Sequence, residues 1–263
     1  CGDGGSGETA LVVAGIAGTI AALGDTVYED GTSREFAACY EPTWGRHKDR
    51  TRPAPGNHEY HTEGAAGYYA YFGDAAGTAG EGFYSYDLGA WHVVVLNSEC
   101  PTRDCVAAQE AWLRADLDEH AAACTLAYWH RPVITAGPHD DDEGEMLDQW
   151  RILYDHDVDL VLTAHDHNYQ RYGLLNRDAD GTDPAGIRQI IIGTGGRSLT
   201  DIDPARAAGT VGLEVWADDD DDGDGHDGAN GVVKFTLRPG GYEWRFVPVS
   251  RGSFQDSGSD VCH

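Results

Sequence analysis

Residues 160–167, Leu-Val-Leu-Thr-Ala-His-Asp-His, contain the pattern that decides the fold of this chain. Leu160 to Thr163 is a short apolar run that predicts a buried strand, and His165 and His167 follow its carboxyl end. Open α/β sheets bind ligands at that end of their strands. Two imidazoles separated by one residue lie on the same face of an extended segment, so Asp166 would point away and could orient an imidazole. The stretch therefore predicts a ligand site at the edge of a sheet.

Three further pieces of the chain carry similar chemistry. They are Gly24-Asp25-Thr26-Val27-Tyr28 after the apolar run 19–23, Gly56-Asn57-His58-Glu59 in a Pro/Gly loop over 52–57, and Trp129-His130-Arg131-Pro132 after the run 126–129. Each has an ordinary structural explanation if taken alone, such as a helix-capping aspartate, a packed tyrosine or a core histidine. Together they supply a carboxylate, a phenol, an amide and several imidazoles. That mixture of oxygen and nitrogen donors suits a pair of ions such as Fe, Zn or Mn.

The order of the predicted elements indicates one layered domain over residues 1–263, of the α/β or α+β class. The pattern has no convincing linker and no internal repeat. Strands that alternate with helices and are followed by a β-rich tail are typical of a layered sandwich. The predicted helices are 8–16, 33–40, 65–71, 107–120 and 145–155, the strands are 19–23, 82–88, 91–96, 126–129, 160–163 and 189–192, and a hairpin spans 231–249.

The composition is strongly acidic, with 45 Asp and Glu against 18 Lys and Arg and a net charge of −27. Such a surface repels nucleic acid and anionic membranes, which excludes both as partners. No apolar run approaches the length of a membrane span. The charge is either an ordinary solvated coat or an adaptation to a salt-rich habitat, where screening removes self-repulsion.

The most acidic segment, residues 217–230, is predicted to be a loop. Asp218, Asp220, Asp222 and Gly223 match the opening of a calcium-binding loop, but Ala229 stands where the twelfth-position glutamate would be. The pattern therefore favours a solvated acidic loop over a calcium site.

Six cysteines lie at positions 1, 39, 100, 105, 124 and 262, and none forms a Cys-x-x-Cys pair. An even number of widely spread cysteines favours an oxidised protein that is secreted or displayed at the cell surface. Cys100 and Cys105 bracket a short loop that a disulfide could close. Cys1, before a glycine-rich stretch, could alternatively carry a lipid anchor.

The four pieces in this order resemble the calcineurin-like metallophosphoesterases, and more narrowly their purple acid phosphatase branch. The resemblance runs from about Glu8 to the C-terminus, and the spacing between Asp25 and Tyr28 is its discriminating feature. It implies a four-layer α-β-β-α sandwich, in which two packed mixed β-sheets are flanked by helices. It also implies two metal ions, Fe(III) together with Zn, Mn or Fe(II).

The resemblance also implies a role for each candidate residue. Those that would bind metal are Asp25 as the bridge, Tyr28 and His167 on the first ion, and Asn57, His130 and His165 on the second. His58 and His139 would hold phosphate oxygens and protonate the leaving group. His139 and the stretch Glu143-Gly144-Glu145-Met146 resemble the substrate-side loop of the family.

The family's opening motif, an aspartate at the end of the first strand, leaves two alternatives. Asp3 is that ligand, or the chain lacks its first strand and binds the first metal poorly. The activity that the resemblance implies is hydrolysis of a small-molecule phosphate monoester by hydroxide generated from a metal-bound water. The alternatives are a phosphodiesterase or nucleotidase with the same metals, and a non-catalytic secreted protein with an incomplete first metal site.

Overall fold

The computed structural model describes residues 5–120, 122–139, 144–219, 228–250 and 254–263. The strands are β1 (Ile20–Leu23), β2 (Thr51–Ala54), β3 (Tyr84–Leu88), β4 (Trp91–Val95), β5 (Cys124–Tyr128), β6 (Leu160–Thr163), β7 (Tyr169–Leu175), β8 (Ile187–Ile192), β9 (Leu213–Ala217), β10 (Gly231–Arg238), β11 (Gly241–Pro248) and β12 (Ser257–Val261). The α-helices are α1 (Gly5–Ala14), α2 (Ser33–Glu35), α3 (Asn57–His61), α4 (Ala66–Phe72), α5 (Arg103–Glu119), α6 (Leu147–Asp155) and α7 (Pro204–Gly209).

The largest sheet has seven strands in the order β3-β4-β5-β6-β8-β7-β9. Its centre, β4-β5-β6-β8, is parallel, and β3, β7 and β9 are antiparallel to their neighbours. All residues of β4, β5 and β6 are buried. Strands covered on both faces are continuously apolar, which explains why these three were recognisable in the sequence.

Two smaller sheets form a second β-layer, the parallel pair β1-β2 and the antiparallel meander β10-β11-β12. Side chains from β4, β5 and β6, such as Trp91, Leu126 and Leu160, pack against Trp244 and Phe246 of β11 in one apolar core. On the opposite face of the seven-stranded sheet, a second core contains residues of α5 and α6. The two β-layers with flanking helices confirm the four-layer expectation.

A cavity of about 560 Å³ lies between β1 and β10, which are not hydrogen-bonded to each other in the described part of the chain. Its walls include all of β1, the apolar residues Val232, Phe235 and Leu237 of β10, and Asp25.

Residues 1–4 lie outside the described residues, so the role of Asp3 and the lipid anchor at Cys1 stay predictions.

The loop predicted over residues 52–57 is wrong. Thr51–Ala54 is strand β2, paired in parallel with β1, and Asn57 begins α3. Pro53 lacks a backbone N–H, and proline is typical of edge strands. The Pro/Gly composition therefore suggested a loop where the described residues form a strand with one partner, β1. The strands β7, β9 and β12 were also missed, because their sequences mix apolar and polar residues.

The disulfide expected between Cys100 and Cys105 is present, and a second joins Cys124 in β5 to Cys262 near the C-terminus. No cysteine in the described residues is free. Among the same residues, no helix is both long and apolar enough to cross a membrane.

Most of the acidic segment 217–230 lies outside the described residues, including positions 220–227. Asp218 is described and is buried, and its carboxylate accepts a 2.6 Å hydrogen bond from the backbone N–H of Ile202. This contact holds the start of the segment in place. The calcium alternative depends on positions outside the described residues and stays a prediction.

Candidate metal centre

All four pieces singled out in the sequence converge where strands of both β-layers end. Asp25 follows β1 and Asn57 follows β2, whereas His130 and His165 follow the neighbouring strands β5 and β6. The two histidine loops are joined directly, because the N–H of Ala164 donates to the carbonyl of His130 over 2.9 Å. Gly24 has a φ of +90° and no space for a side chain, since a Cβ there would lie 2.5 Å from the His130 ring. This glycine lets Asp25 approach His130.

One group of ligand atoms surrounds His130 Nε2. Asp25 Oδ2 lies 3.2 Å from it, Asn57 Oδ1 lies 3.1 Å from it, and His165 Nδ1 lies 3.0 Å from it. His130 is almost completely buried, and His165 is buried as well. Three nitrogen and oxygen atoms from residues that follow β1, β2 and β6 are thus held within hydrogen-bonding distance of His130 Nε2.

The protonation of His130 shows that this group suits a cation. Its Nδ1 lies 2.8 Å from the carbonyl oxygen of Leu23, which can only accept, so Nδ1 carries a proton. In the neutral ring, Nε2 therefore presents a lone pair to two further acceptors, the carboxylate of Asp25 and the amide oxygen of Asn57. Such a cluster is favourable only around a proton or a metal ion, and a backbone bond at Nδ1 is the usual support of a metal-binding histidine.

Electrostatics link Asp25 and His130 closely in the metal-free protein. Burial would raise the pKa of Asp25, but the His130 imidazolium holds that pKa well below its ordinary value. Burial disfavours the charged form of His130, but Asp25 raises its pKa to about 9. Without metal, a proton therefore occupies the position between them.

Tyr28 and His167 form a second group beside the first. The Tyr28 hydroxyl lies 3.3 Å from His167 Nε2, and both side chains line the cavity together with Asp25. Burial lowers the pKa of His167 to about 4, so this imidazole is neutral at ordinary pH and can act as a ligand. Burial, with the nearby charge of Asp25, raises the pKa of Tyr28 well above its usual value. A phenolate here would need a strong positive charge.

Glu59 positions the backbone of the first group although it is not one of the candidate ligands. It is completely buried, and one carboxylate accepts four hydrogen bonds. The donors are the N–H of Asp25 at 2.9 Å, the N–H and hydroxyl of Thr26 at 2.7 and 2.9 Å, and the N–H of Gly56 at 2.7 Å. Burial, with the charge of Asp25, raises the pKa of Glu59 to about 7.

The two histidines expected on the substrate side lie at the rim of the ligand groups. His58 Nδ1 is 2.6 Å from the carbonyl oxygen of Glu29, so the proton is on Nδ1 and Nε2 points toward Asp25, 3.9 Å from Oδ2. The ring of His139 lies 4.3 Å from that of His165 between centroids. Glu143 of the expected substrate-side loop lies outside the described residues.

The expectation that residues 165–167 are extended is wrong. His165 has a φ of +65°, and turn hydrogen bonds join Asp166 to Ala164 and Asn168 to Asp166 over 2.8 Å. Because of these turns, the two imidazoles contact different residues. His165 contacts His130, and His167 contacts Tyr28. The buried Asp166 binds the hydroxyl of Thr135 and the N–H of His139, so it anchors the His139 loop.

The sequence did not predict a role for Glu59 or for Arg197 in this site. The spacing of Gly56 and Glu59 is that of a helix capping box, a signal that could have identified Glu59 as a loop anchor. The Arg197 guanidinium lies 4.8 Å from the centre of the Tyr28 ring and forms a 3.0 Å ion pair with Glu29. Nothing in the sequence around Arg197 indicates that it lies close to Tyr28.

Known proteins are similar to this chain over segments much longer than the ligand groups. The chain is 28% identical over 211 residues to purple acid phosphatase 15 of Arabidopsis thaliana, covering 66% of this chain and 39% of that protein. It is 29% identical over 174 residues to acid phosphatase type 7 of Homo sapiens, covering 54% of this chain and 39% of that protein. The chain thus spans less than half the length of these curated relatives.

The fold also matches that of a purple acid phosphatase from seeds of yellow lupin (Lupinus luteus). The TM-score is 0.68 at 16% identity, over 97% of this chain and 48% of the lupin chain. Residues 17–169 match the family model described as calcineurin-like phosphoesterase, and they contain all the ligand groups described above. Since this match covers more than half of the 263 residues, the chain belongs to the calcineurin-like phosphoesterase family and is similar to the purple acid phosphatases.

Proposed function

We propose that this protein is an exported, dinuclear metal-dependent hydrolase of small-molecule phosphate monoesters. The observation that carries the proposal is the convergence of Asp25, Asn57 and His165 on His130 Nε2, with Tyr28 and His167 beside them. Membership of the phosphoesterase family supports hydrolysis of a phosphate ester. The similarity to acid phosphatases supports the monoester preference.

The described residues supply ligands for two ions, and Asp3, the expected further ligand of the first ion, lies outside them. Asp25 would bridge the two ions, Tyr28 and His167 would hold the first, and Asn57, His130 and His165 would hold the second. A phenol favours Fe(III) as the first ion, and the mixed imidazole and oxygen set of the second suits Zn, Mn or Fe(II). When bound, the ions would supply positive charge for phosphate oxygens and lower the pKa of a coordinated water.

The protein's own residues would position the substrate and supply a proton. Glu59 and Asp166 hold the loops of Asp25 and His139 in place through their backbone N–H groups. His58 is fixed by Glu29 with Nε2 directed toward the site. Because Nδ1 already donates to the Glu29 carbonyl, Nε2 would hold a phosphate oxygen or deliver a proton to the departing alkoxide in the doubly protonated imidazolium form. His139, whose ring centroid lies 4.3 Å from that of His165, would do the same.

Metal analysis combined with hydrolysis of aryl phosphates tests the proposal. Protein reconstituted with iron and zinc should hydrolyse 4-nitrophenyl phosphate much faster than bis(4-nitrophenyl) phosphate. Faster hydrolysis of the diester would favour a phosphodiesterase with the same metals. Metal-loaded protein with no activity on either ester would indicate a non-catalytic member of the family.

The Tyr28→Phe variant tests the first ion separately. Ferric iron bound to a tyrosinate gives a visible charge-transfer band, which should be present in the iron-loaded protein and absent from the variant. Tyr60→Phe is the matched control, because this tyrosine binds Asn97 away from the ligand groups. An active, fully metallated and colourless wild-type protein would contradict ferric iron at Tyr28.

Export is supported by the two disulfides, which persist in oxidising compartments. Thiol alkylation followed by mass spectrometry of the protein from its native source tests it. Both bridges should be intact in the extracellular or cell-surface fraction, and recovery only from the reducing cell interior would contradict export.

A further inference from the structure

A second cluster of metal-binding side chains lies at the C-terminal end of α5, against the seven-stranded sheet. It consists of His92 on β4, Asp116 on α5 and His120 immediately after that helix. One donor atom of each lies within 4.8 Å of the other two. His92 and Asp116 are buried, whereas the His120 side chain is 40% exposed, so an ion could enter from solvent.

His92 is placed between two carboxylates. Its Nδ1 lies 2.9 Å from Asp87 Oδ1, and its Nε2 lies 2.8 Å from Asp116 Oδ2. A neutral imidazole carries a single proton, so it can donate to only one of them and directs a lone pair at the other. When the ring proton lies toward Asp87, a cation is still required between His92 and Asp116, and it is either a further proton or a metal ion.

The surroundings resemble those of metal-binding histidines. Asp87 is paired with His92 across strands β3 and β4, and it would hold the proton on Nδ1 and leave Nε2 to the metal. Ser85 donates to Asp116 Oδ1 over 2.7 Å and fixes this carboxylate, so that Oδ2 faces His92. Both Asp116 and His120 belong to the end of α5, where the helix dipole favours a positive charge.

Charge also favours a divalent ion. With a neutral His92, the carboxylates of Asp87 and Asp116 carry two negative charges, of which that of Asp116 is buried and that of Asp87 is 68% exposed. A divalent cation would balance both Asp87 and Asp116. His120 stacks on His92 with 4.6 Å between ring centroids and donates from Nδ1 to the Asp116 carbonyl, so it would have to turn to coordinate an ion. Its exposure allows that rotation.

We propose that His92, Asp116 and His120 bind one Zn²⁺ ion, with Asp87 orienting His92 and water completing the coordination. Two nitrogens, one oxygen and a water are an ordinary tetrahedral zinc environment, in which ligand atoms lie about 3.3 Å apart. The ion would join β4 to α5 at a position separate from Asp25 and its ligand groups. Water would hold its fourth position, unlike the closed coordination of most structural zinc sites.

Equilibrium dialysis against Zn²⁺, with metal counted by mass spectrometry, tests the site. The dinuclear centre binds zinc equally in all variants, so it cancels when variants are compared. His120→Ala should hold one ion fewer per chain than the wild type. His156→Ala is the matched control, because His156 follows α6 and donates from Nδ1 to a carbonyl four residues earlier in the same way. It should bind as much zinc as the wild type.

Two further measurements make the result decisive. Asp87→Asn should weaken zinc binding at this site about 10- to 100-fold without affecting the other ions. Diffraction data at the zinc absorption edge should show an anomalous peak between His92 and Asp116. Equal zinc content in the wild type and His120→Ala, or no peak at the cluster, would show that a proton alone occupies it. If the proposed dinuclear centre bound no metal, the zinc content of the wild type would still exceed that of His120→Ala, and the peak at the cluster would still be present. The two proposals are therefore tested independently.

Discussion

The carboxylate of Glu59 holds the backbone of Asp25, with 2.9 Å between Glu59 Oε2 and the Asp25 nitrogen. The same carboxylate binds Thr26 and Gly56, so one buried side chain joins the loop after β1 to the loop after β2. These are the loops that carry Asp25 and Asn57. The separation of two proposed ligands therefore depends on a residue that is not itself a proposed ligand.

Replacing Glu59 by glutamine should weaken metal binding and activity about 10- to 100-fold, as is typical when a residue that orients ligands is lost. The amide keeps the size of the side chain but presents an N–H₂ group to backbone donors. Metal content after dialysis and kcat/KM for an aryl phosphate measure the effect. Glu63→Gln, at an exposed position six residues away from Asn57, is the control and should change neither quantity. Normal metal content in Glu59→Gln would contradict the positioning role.

Replacing His58 by glutamine should reduce hydrolysis most for esters with poor leaving groups. A departing alkoxide needs a proton, whereas 4-nitrophenolate does not, and general acid catalysis contributes roughly 10²- to 10⁴-fold. The ratio of kcat/KM for an alkyl phosphate and 4-nitrophenyl phosphate measures this. His61→Gln is a close control, because its Nδ1 also contacts the carbonyl of Glu29, at 2.9 Å, but its side chain is half exposed. A uniform loss with both substrates would assign His58 to binding instead.

The bridge between Cys124 and Cys262 should stabilise the fold more than the bridge between Cys100 and Cys105. The first joins residues 138 apart and the second residues 5 apart. In the chain-entropy model these loops correspond to about 5 and about 2 kcal/mol of unfolding free energy. Urea unfolding of Cys124→Ser/Cys262→Ser and Cys100→Ser/Cys105→Ser double variants measures both losses. A larger loss for the short loop would contradict the model here.

Asp256 should stabilise the protein at neutral pH and lose that effect in acid. It accepts hydrogen bonds from Arg171 Nε, the Tyr169 hydroxyl and Trp244 Nε1 at 2.7–2.9 Å. Burial opposes its charge, but these donors, Arg171 above all, lower its pKa below the ordinary value of 3.8. A lowered pKa adds stability above the unfolded-state value, and that stability disappears as the pH falls through the folded-state value.

Asp256→Asn should therefore reduce the free energy of unfolding at pH 6 by about 1–3 kcal/mol, since its amide leaves buried donors unsatisfied. The difference from the wild type should shrink as the pH falls below about 4. Urea unfolding at a series of pH values measures it. Asp201→Asn, at an exposed position, should show neither change. A difference that stays constant down to pH 3 would mean that charge at Asp256 is unimportant.

The sequence predicted the parts of the fold in which apolar residues are continuous. β4, β5 and β6 are buried on both faces, and their sequences are correspondingly apolar. β2 was missed because Pro53 suits an edge strand but argues against an ordinary one. β12, Ser257–Val261, is exposed on alternate residues and carries almost no apolar signal. Local pattern therefore predicted the central strands, the edge strand β3 and the β10-β11 hairpin, and it failed for strands with a mixed sequence such as β7 and β9.

The candidate ligands were predictable because they belong to a recognisable ordered series, but their geometry was not. Tyr28 and His167 are separated by 139 positions and become neighbours only because β1 and β6, which belong to different sheets, end on the same side of the two β-layers. His165 and His167 were expected in an extended segment, and the turn at His165 arises from hydrogen bonds that the sequence does not encode locally. The spacing of Gly56 and Glu59 indicates the bond from Glu59 to the Gly56 N–H, but no pattern indicates its bonds to Asp25 and Thr26 in another loop.

Asp25 and His165 both have left-handed backbone conformations, with φ of +50° and +65°. Residues other than glycine adopt this region at a conformational cost of about 1 kcal/mol or more. Glycine at either position would make the chain easier to fold and would remove a carboxylate or an imidazole from the centre. Stability and metal binding therefore place opposite demands on these two positions.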